Sequence, residues 1–194
     1  KGFLFFFIAS ILICIPLAFY YQHANQFLNE IGMKAAASKM ILGQISEVLF
    51  LLLLPLFIKR YGIKNALIVG ILAWGVRYML FAFGDTGVKS WMLIFGILLH
   101  GVCYDFFFVS GQIYTDFKAG EKYKSTAQGL ITLATYGLGM LIGFRFAGWL
   151  TDQYISDIGH LWKNIWIQPA IFSFVVLTLF LIFFKNETIK FKSL

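Results

Sequence analysis

Residues 40–64 read MILGQISEVLFLLLLPLFIKRYGIK. Within 40–58 the single ionisable side chain is Glu47, and the chain then turns abruptly basic at Lys59, Arg60 and Lys64. A helix crosses the ~30 Å hydrocarbon core of a bilayer with about 20 mostly apolar residues, so this stretch reads as a membrane span closed by a charged turn. A carboxylate at that depth costs at least ~2.5–3.5 kcal/mol on insertion scales, which makes Glu47 a marker of a solute path, a proton relay or a buried partner.

Working outward, the pattern repeats. Apolar stretches occupy 3–27, 40–58, 66–84, 91–114, 127–150 and 165–184, with short polar breaks between them. They predict an all-α integral membrane protein of six transmembrane helices forming one helical domain over residues 1–194. Composition agrees: 60% of the 194 residues are hydrophobic and only 13% are charged. A soluble domain averages about 25% charged residues, so lipid must be the solvent for much of this surface. The net charge of +7 does not point to nucleic acid, because the basic residues sit in the breaks rather than clustering on one face. Cys14 and Cys103 fall in apolar stretches and are expected to be unpaired packing residues. No paired Cys/His spacing suggests a metal, and no cofactor is expected. The first stretch lacks a signal-peptidase site, and the chain opens at Lys1 directly into a span; it is expected to be a piece of a longer protein.

Six spans place both termini on one side. That side holds Lys1, Lys59, Arg60, Lys64, Lys118, Lys122, Lys124, Lys185, Lys190 and Lys192, against Lys34, Lys39, Lys89 and Lys163 on the other. The positive-inside rule therefore puts both termini in the cytoplasm. Arg77 and Arg145 lie within spans. Arg145, near a span end, can snorkel; Arg77 is deeper and is expected to have an acidic partner. In the fifth stretch Gly139 and Gly143 make a G-x-x-x-G step, read as close helix packing or as a sliding helix. The sixth stretch carries almost no polar groups and is expected at the lipid-facing rim.

Polar groups recur inside the spans. Gln22 and Asn25 are three residues apart, as are Gln44 and Glu47, so each pair shares a helix face. His100 and Tyr104 share a face at i, i+4, with Asp105 about 100° round from Tyr104. Amides donate and accept, carboxylates accept, and Tyr and His do either. This set suits a neutral polyhydroxylated or heterocyclic solute. Each group also has a plainer role: helix-end amides, an interhelical hydrogen bond at Gln44, a packed neutral His100, or ion pairs of Glu47 or Asp105 with an arginine.

At these residues the chain resembles a known family. The turn at 55–64 is similar to the G-x-x-x-D-R-x-G-R-K loop of the major facilitator superfamily; Arg60, Gly62 and Lys64 match, while Pro55 and Lys59 replace the first Gly and the Asp. The strings LGQISEVLFLLLLPLFIKRYGIKNAL (42–67), GVCYDFFFVSGQIY (101–114) and STAQGLITLATYGLGMLIG (125–143) resemble the bacterial nucleoside:proton symporter family over nearly the whole chain. The resemblance implies the C-terminal six-helix half of a twelve-helix transporter, a 3+3 inverted repeat in the bacterial inner membrane, whose N-terminal six-helix half is missing. It implies nucleoside and protons as partners. It places Gln22, Asn25, Gln44, Glu47, His100 and Tyr104 in the solute site and Asp105 or Glu47 in proton coupling, with Asp105 preferred. His100 stands where the family leads one to expect Tyr, and Lys124 where it leads one to expect Arg.

The nearest rival is a facilitator-superfamily carrier of another small polar solute, such as a sugar. An intramembrane aspartyl protease would need two acids sharing one site and a G-x-G-D context, which is absent. A non-transporting scaffold would leave Gln44, Glu47 and Asp105 without a purpose.

Overall fold

The computed structural model describes residues 2–157 and 159–185. Lys1, Lys190 and Lys192, assigned above to the cytoplasmic side, lie outside the described residues. The helices are α1 (Gly2–Glu30), α2 (Ala36–Tyr61), α3 (Ile63–Phe83), α4 (Ser90–Tyr104), α5 (Ser110–Thr132), α6 (Met140–Asp152) and α7 (Trp162–Phe183). Two wider-wound π segments, Asp105–Val109 and Leu133–Gly139, join α4 to α5 and α5 to α6. A two-residue antiparallel pairing, Ile155–Ser156 with Gly159–His160, lies in the connection between α6 and α7.

Among the described residues, five continuous helical runs are long and apolar enough to cross a membrane. The stretches expected at 91–114 and 127–150 lie in one 63-residue helical run, Ser90–Asp152. At 1.5 Å per residue that run would measure about 95 Å, roughly three hydrocarbon thicknesses. It breaks at Gly120, whose φ of 65° and ψ of 171° are not helical. The polar break between the two stretches is thus helical on both sides of a single glycine, and no proline interrupts it.

Packing follows from where small side chains fall. α3 packs against α7 and α4, α4 also packs against α2, and α1 packs against α6, α7 and the second π segment. A Cβ on Gly143 would lie 2.7 Å from the Ala18 Cβ, and one on Gly139 would lie 2.8 Å from the Cys14 Cβ. The G-x-x-x-G step is therefore a tight seam against α1. A Cβ on Gly70 would strike the backbone of Phe106 and Phe107, so α3 makes room for the first π segment. Gly62, at φ +82°, turns α2 into α3, where a side chain would be strained.

Buried aromatic groups fill the centre, with Trp74, Tyr78 and Trp166 fully enclosed and the Tyr78 and Trp166 rings 5.4 Å apart and nearly parallel. The Tyr78 hydroxyl donates to the carbonyl of Pro16. By contrast Leu49, Leu52 and Leu56 of α2, Leu133 and Leu141, and Ile171 and Ile182 of α7 are exposed. Apolar surface on this scale exceeds what a water-soluble monomer leaves open and suits lipid contact. α7 has both faces: Ile165, Trp166 and Phe180 are buried while Ile171, Val175 and Leu179 face outward. Cys14 and Cys103 are free and buried.

Candidate functional site

A seam of glycines brings α2 and α4 together. A Cβ on Gly101 would lie 2.5 Å from the Ser46 carbonyl carbon and 2.6 Å from the Glu47 nitrogen, and one on Gly43 would lie 3.2 Å from the His100 Cβ. The Gly101 N–H donates to the Ser46 hydroxyl at 3.1 Å. This approach sets Glu47 beside His100, with His100 Nε2 3.7 Å from Glu47 Oε2. Glu47 is half-buried and His100 is buried.

From the other side, α3 delivers Arg77, which is fully buried. Its Nη1 donates to His100 Nδ1 at 3.0 Å. Its guanidinium carbon sits 3.6 Å from the centroid of the Tyr20 ring on α1, a cation–π contact. The Tyr20 ring also stacks on His100, with centroids 5.2 Å apart. The acidic partner expected for Arg77 is not found: no carboxylate among the described residues lies within 4 Å of Arg77 or Arg145. Helix register explains the difference: Arg77 meets α4 at His100, whereas the segment that opens with Asp105 passes α3 at Gly70.

One turn along, Tyr104 is half-buried, its ring 6.0 Å from His100 and 5.2 Å from Phe108. Its hydroxyl bonds to that of Tyr136, which stands in the second π segment. Tyr104 therefore links the two π segments, and π bulges recur at functional sites. Asp105 begins the first π segment and is buried, and its Oδ2 has no partner among the described residues.

The amides are further out. Gln22 and Asn25 are exposed on α1. A Cβ on Gly148 of α6 would come 3.3 Å from Gln22 Nε2, and Asn25 Nδ2 reaches Met40 Sδ of α2 at 3.6 Å. Asn25 Oδ1 also accepts from Asn29 Nδ2 at 2.8 Å. Gln44 is exposed; with its nitrogen turned to the backbone it donates to the Met40 carbonyl at 2.6 Å. The structure thus gathers Glu47, His100 and Tyr104 with Tyr20 and Arg77. It leaves Gln22, Asn25 and Gln44 on exposed parts of α1 and α2, and sets Asp105 behind in the packing. No metal-holding cluster occurs among the described residues.

Three contributors were not read from the sequence as site residues: Tyr20, Arg77 as a partner of histidine, and Tyr136. Tyr136 lies in the TYGLG string, and its mid-span hydroxyl was the available signal. Beside the break read as cytoplasmic, Gln128 donates to the Gln112 carbonyl at 2.9 Å and to Asp116 Oδ1 at 2.7 Å. Lys124 pairs with Glu121 at 2.9 Å, and Arg60 lies 5.3 Å from the Tyr61 ring.

Comparison with known proteins gives a consistent picture. The family described as Nucleoside H+ symporter matches residues 1–189. YegT of Escherichia coli (strain K12) is 42% identical over 96% of this chain and 46% of its own length. Nucleoside permease NupG of the same organism is 31% identical over 95% of this chain and 47% of its own length. A xanthosine permease of that organism is 28% identical over 82% of this chain and 38% of its own length. Crystal structures of the nucleoside transporter NupG superpose with TM-scores of 0.88 for a mutant and 0.86, at 31% identity, over 93% and 96% of this chain. The chain spans about half the length of the curated relatives it matches.

Proposed function

This chain belongs to the nucleoside H+ symporter family, and from that premise we propose that it forms one six-span wall of a proton-coupled nucleoside transporter working by alternating access in the bacterial inner membrane. Six crossings follow when the 63-residue run is divided at Gly120, and both ends of the segment then lie in the cytoplasm. The second wall is supplied by another six-helix half, related to this one by the rocking geometry of such carriers around a site near the midplane.

The observation that carries the reading is the junction of Glu47, His100 and Tyr104. The 3.7 Å between His100 Nε2 and Glu47 Oε2 exceeds a hydrogen bond. A hydroxyl placed between them accepts from one and donates to the other, which is the chemistry of a ribose. Tyr104, with Phe108 and Tyr136 beside it, offers an aromatic surface for the base. Gln22, Asn25 and Gln44 lie on the exposed sides of α1 and α2 and contribute amide hydrogen bonds once a solute or the opposite wall is present. Asp105, buried at a π segment with an oxygen that has no partner among the described residues, is the first choice for the group that takes and releases the coupled proton, with Glu47 as the alternative. Arg60, Gly62 and Lys64 form the cytoplasmic turn.

The test is competition for uptake. Adenosine should displace labelled uridine from cells expressing the intact transporter, and a panel of sugars should not. Displacement by a sugar and not by adenosine would favour the rival solute class.

A further inference from the structure

We propose that Arg77 is a positioning residue that fixes His100 as its Nε2–H tautomer, so that the ring presents a hydrogen-bond donor beside Glu47 and does not itself carry the coupled proton. The inference deepens the reading of Glu47, His100 and Tyr104 as a solute wall and rests on it.

A guanidinium has only donors and keeps its charge in proteins. At 3.0 Å from Arg77 Nη1, His100 Nδ1 must therefore be the acceptor. In a neutral imidazole the hydrogen then sits on Nε2, the nitrogen 3.7 Å from Glu47 Oε2. A proton on Nδ1 would set two donors face to face, and two cations if Nε2 kept its hydrogen as well, so a proton entering the site goes to a carboxylate. Arg77 can act this way because it is held from all sides. It is fully buried, with Tyr20 against one face at 3.6 Å and the rings of Trp74 and Phe81 each 5.6 Å from its guanidinium carbon.

Its Nε and Nη2 have no partner among the described residues. The imidazole it contacts stands in turn 3.7 Å from Glu47 Oε2. A buried cation with no direct carboxylate is costly unless something else requires it, and the requirement visible here is the histidine. The titratable and charged groups around His100 are Glu47 from α2, Arg77 from α3, Tyr20 and Tyr21 from α1, and Cys103, Tyr104 and Asp105 from its own run. Of these, Arg77 alone contacts Nδ1.

The experiment is nitrogen-15 NMR of histidine-labelled intact transporter in lipid nanodiscs, with His100→Gln assigning the resonance. The neutral Nε2–H form of His100 is expected throughout pH 5–8, and addition of uridine should shift the Nε2 resonance. In Arg77→Met the ring should titrate within that window, and uridine should bind about tenfold more weakly, about 1.4 kcal/mol. Arg77→Lys, which keeps a donor and the charge, should restore much of both. A wild-type His100 protonated on Nδ1, or an Arg77→Met spectrum identical to wild type, overturns the proposal. Should Arg77→Met fail to fold, the wild-type spectrum alone decides. An intact tautomer whose resonance ignores bound uridine overturns the solute-facing role and the wall reading while leaving the Arg77 lock standing.

Discussion

At Tyr104 the ring and the hydroxyl have separable tasks. The hydroxyl bonds Tyr136, while the ring stands between His100 and Phe108. Stacking of an aromatic side chain on a base is worth about 1–3 kcal/mol, and an ordinary hydrogen bond about 1 kcal/mol. Tyr104→Phe should therefore weaken uridine binding by about fivefold or less, and Tyr104→Ala by more than about tenfold, in a titration of the intact transporter. Equal losses would mean that the hydroxyl, not the ring, meets the solute. Asp105 makes a different prediction. Asp105→Asn should leave uridine exchange in place but make net uptake insensitive to an imposed proton gradient, as read by a pH-sensitive dye trapped in liposomes; unchanged coupling would remove Asp105 from the mechanism. The sequence showed which residues were polar and out of place in lipid. It did not show Arg77 meeting His100, because that contact depends on the register between α3 and α4, which no spacing within either helix encodes.

At the scale of the helix, glycine position decides packing. Gly143 meets Ala18 and the backbone at Cys14 and Ile15, whereas Gly129 has nothing within 4 Å of where its Cβ would be. Gly143→Ala should overpack the seam with α1 and destabilise by about 1–3 kcal/mol. Gly129→Ala should be neutral or stabilise by about 0.5–1 kcal/mol, since a helix interior favours Ala over Gly. Thermal unfolding in detergent checks the pair, and similar losses in both would contradict the packing account. The G-x-x-x-G step was legible because its spacing of four matches a helical turn. The π segments were not, since nothing in the composition of residues 105–109 and 133–139 marks a departure from the 3.6-residue period, and each π segment locally rotates the residues that follow it. The helical character of the break between α4 and α6 was not legible for a related reason: a polar break of charged and small residues continues a helix as readily as it ends one, and only Gly120 leaves helical geometry there.

For the molecule as a whole, the membrane class was legible from composition alone, because 13% charged residues cannot clothe a water-facing surface of this size. The open side of the site was not legible, since the exposure of Gln22, Asn25 and Gln44 beside half-buried Glu47 and Tyr104 follows from how the helices pack and from no spacing within one helix. A wall without its opposite cannot alternate access. Liposomes holding only residues 1–194 should therefore take up no uridine above protein-free controls, and robust uptake would contradict the two-wall account. The central claim, that a nucleoside hydroxyl bridges His100 and Glu47, is tested most directly by calorimetric titration of uridine into the intact transporter and its Glu47→Gln variant. Hydrogen bonds to a charged group contribute about 1.5–3 kcal/mol, so the variant should bind uridine at least about tenfold more weakly; an unchanged Kd in a folded Glu47→Gln protein would contradict it.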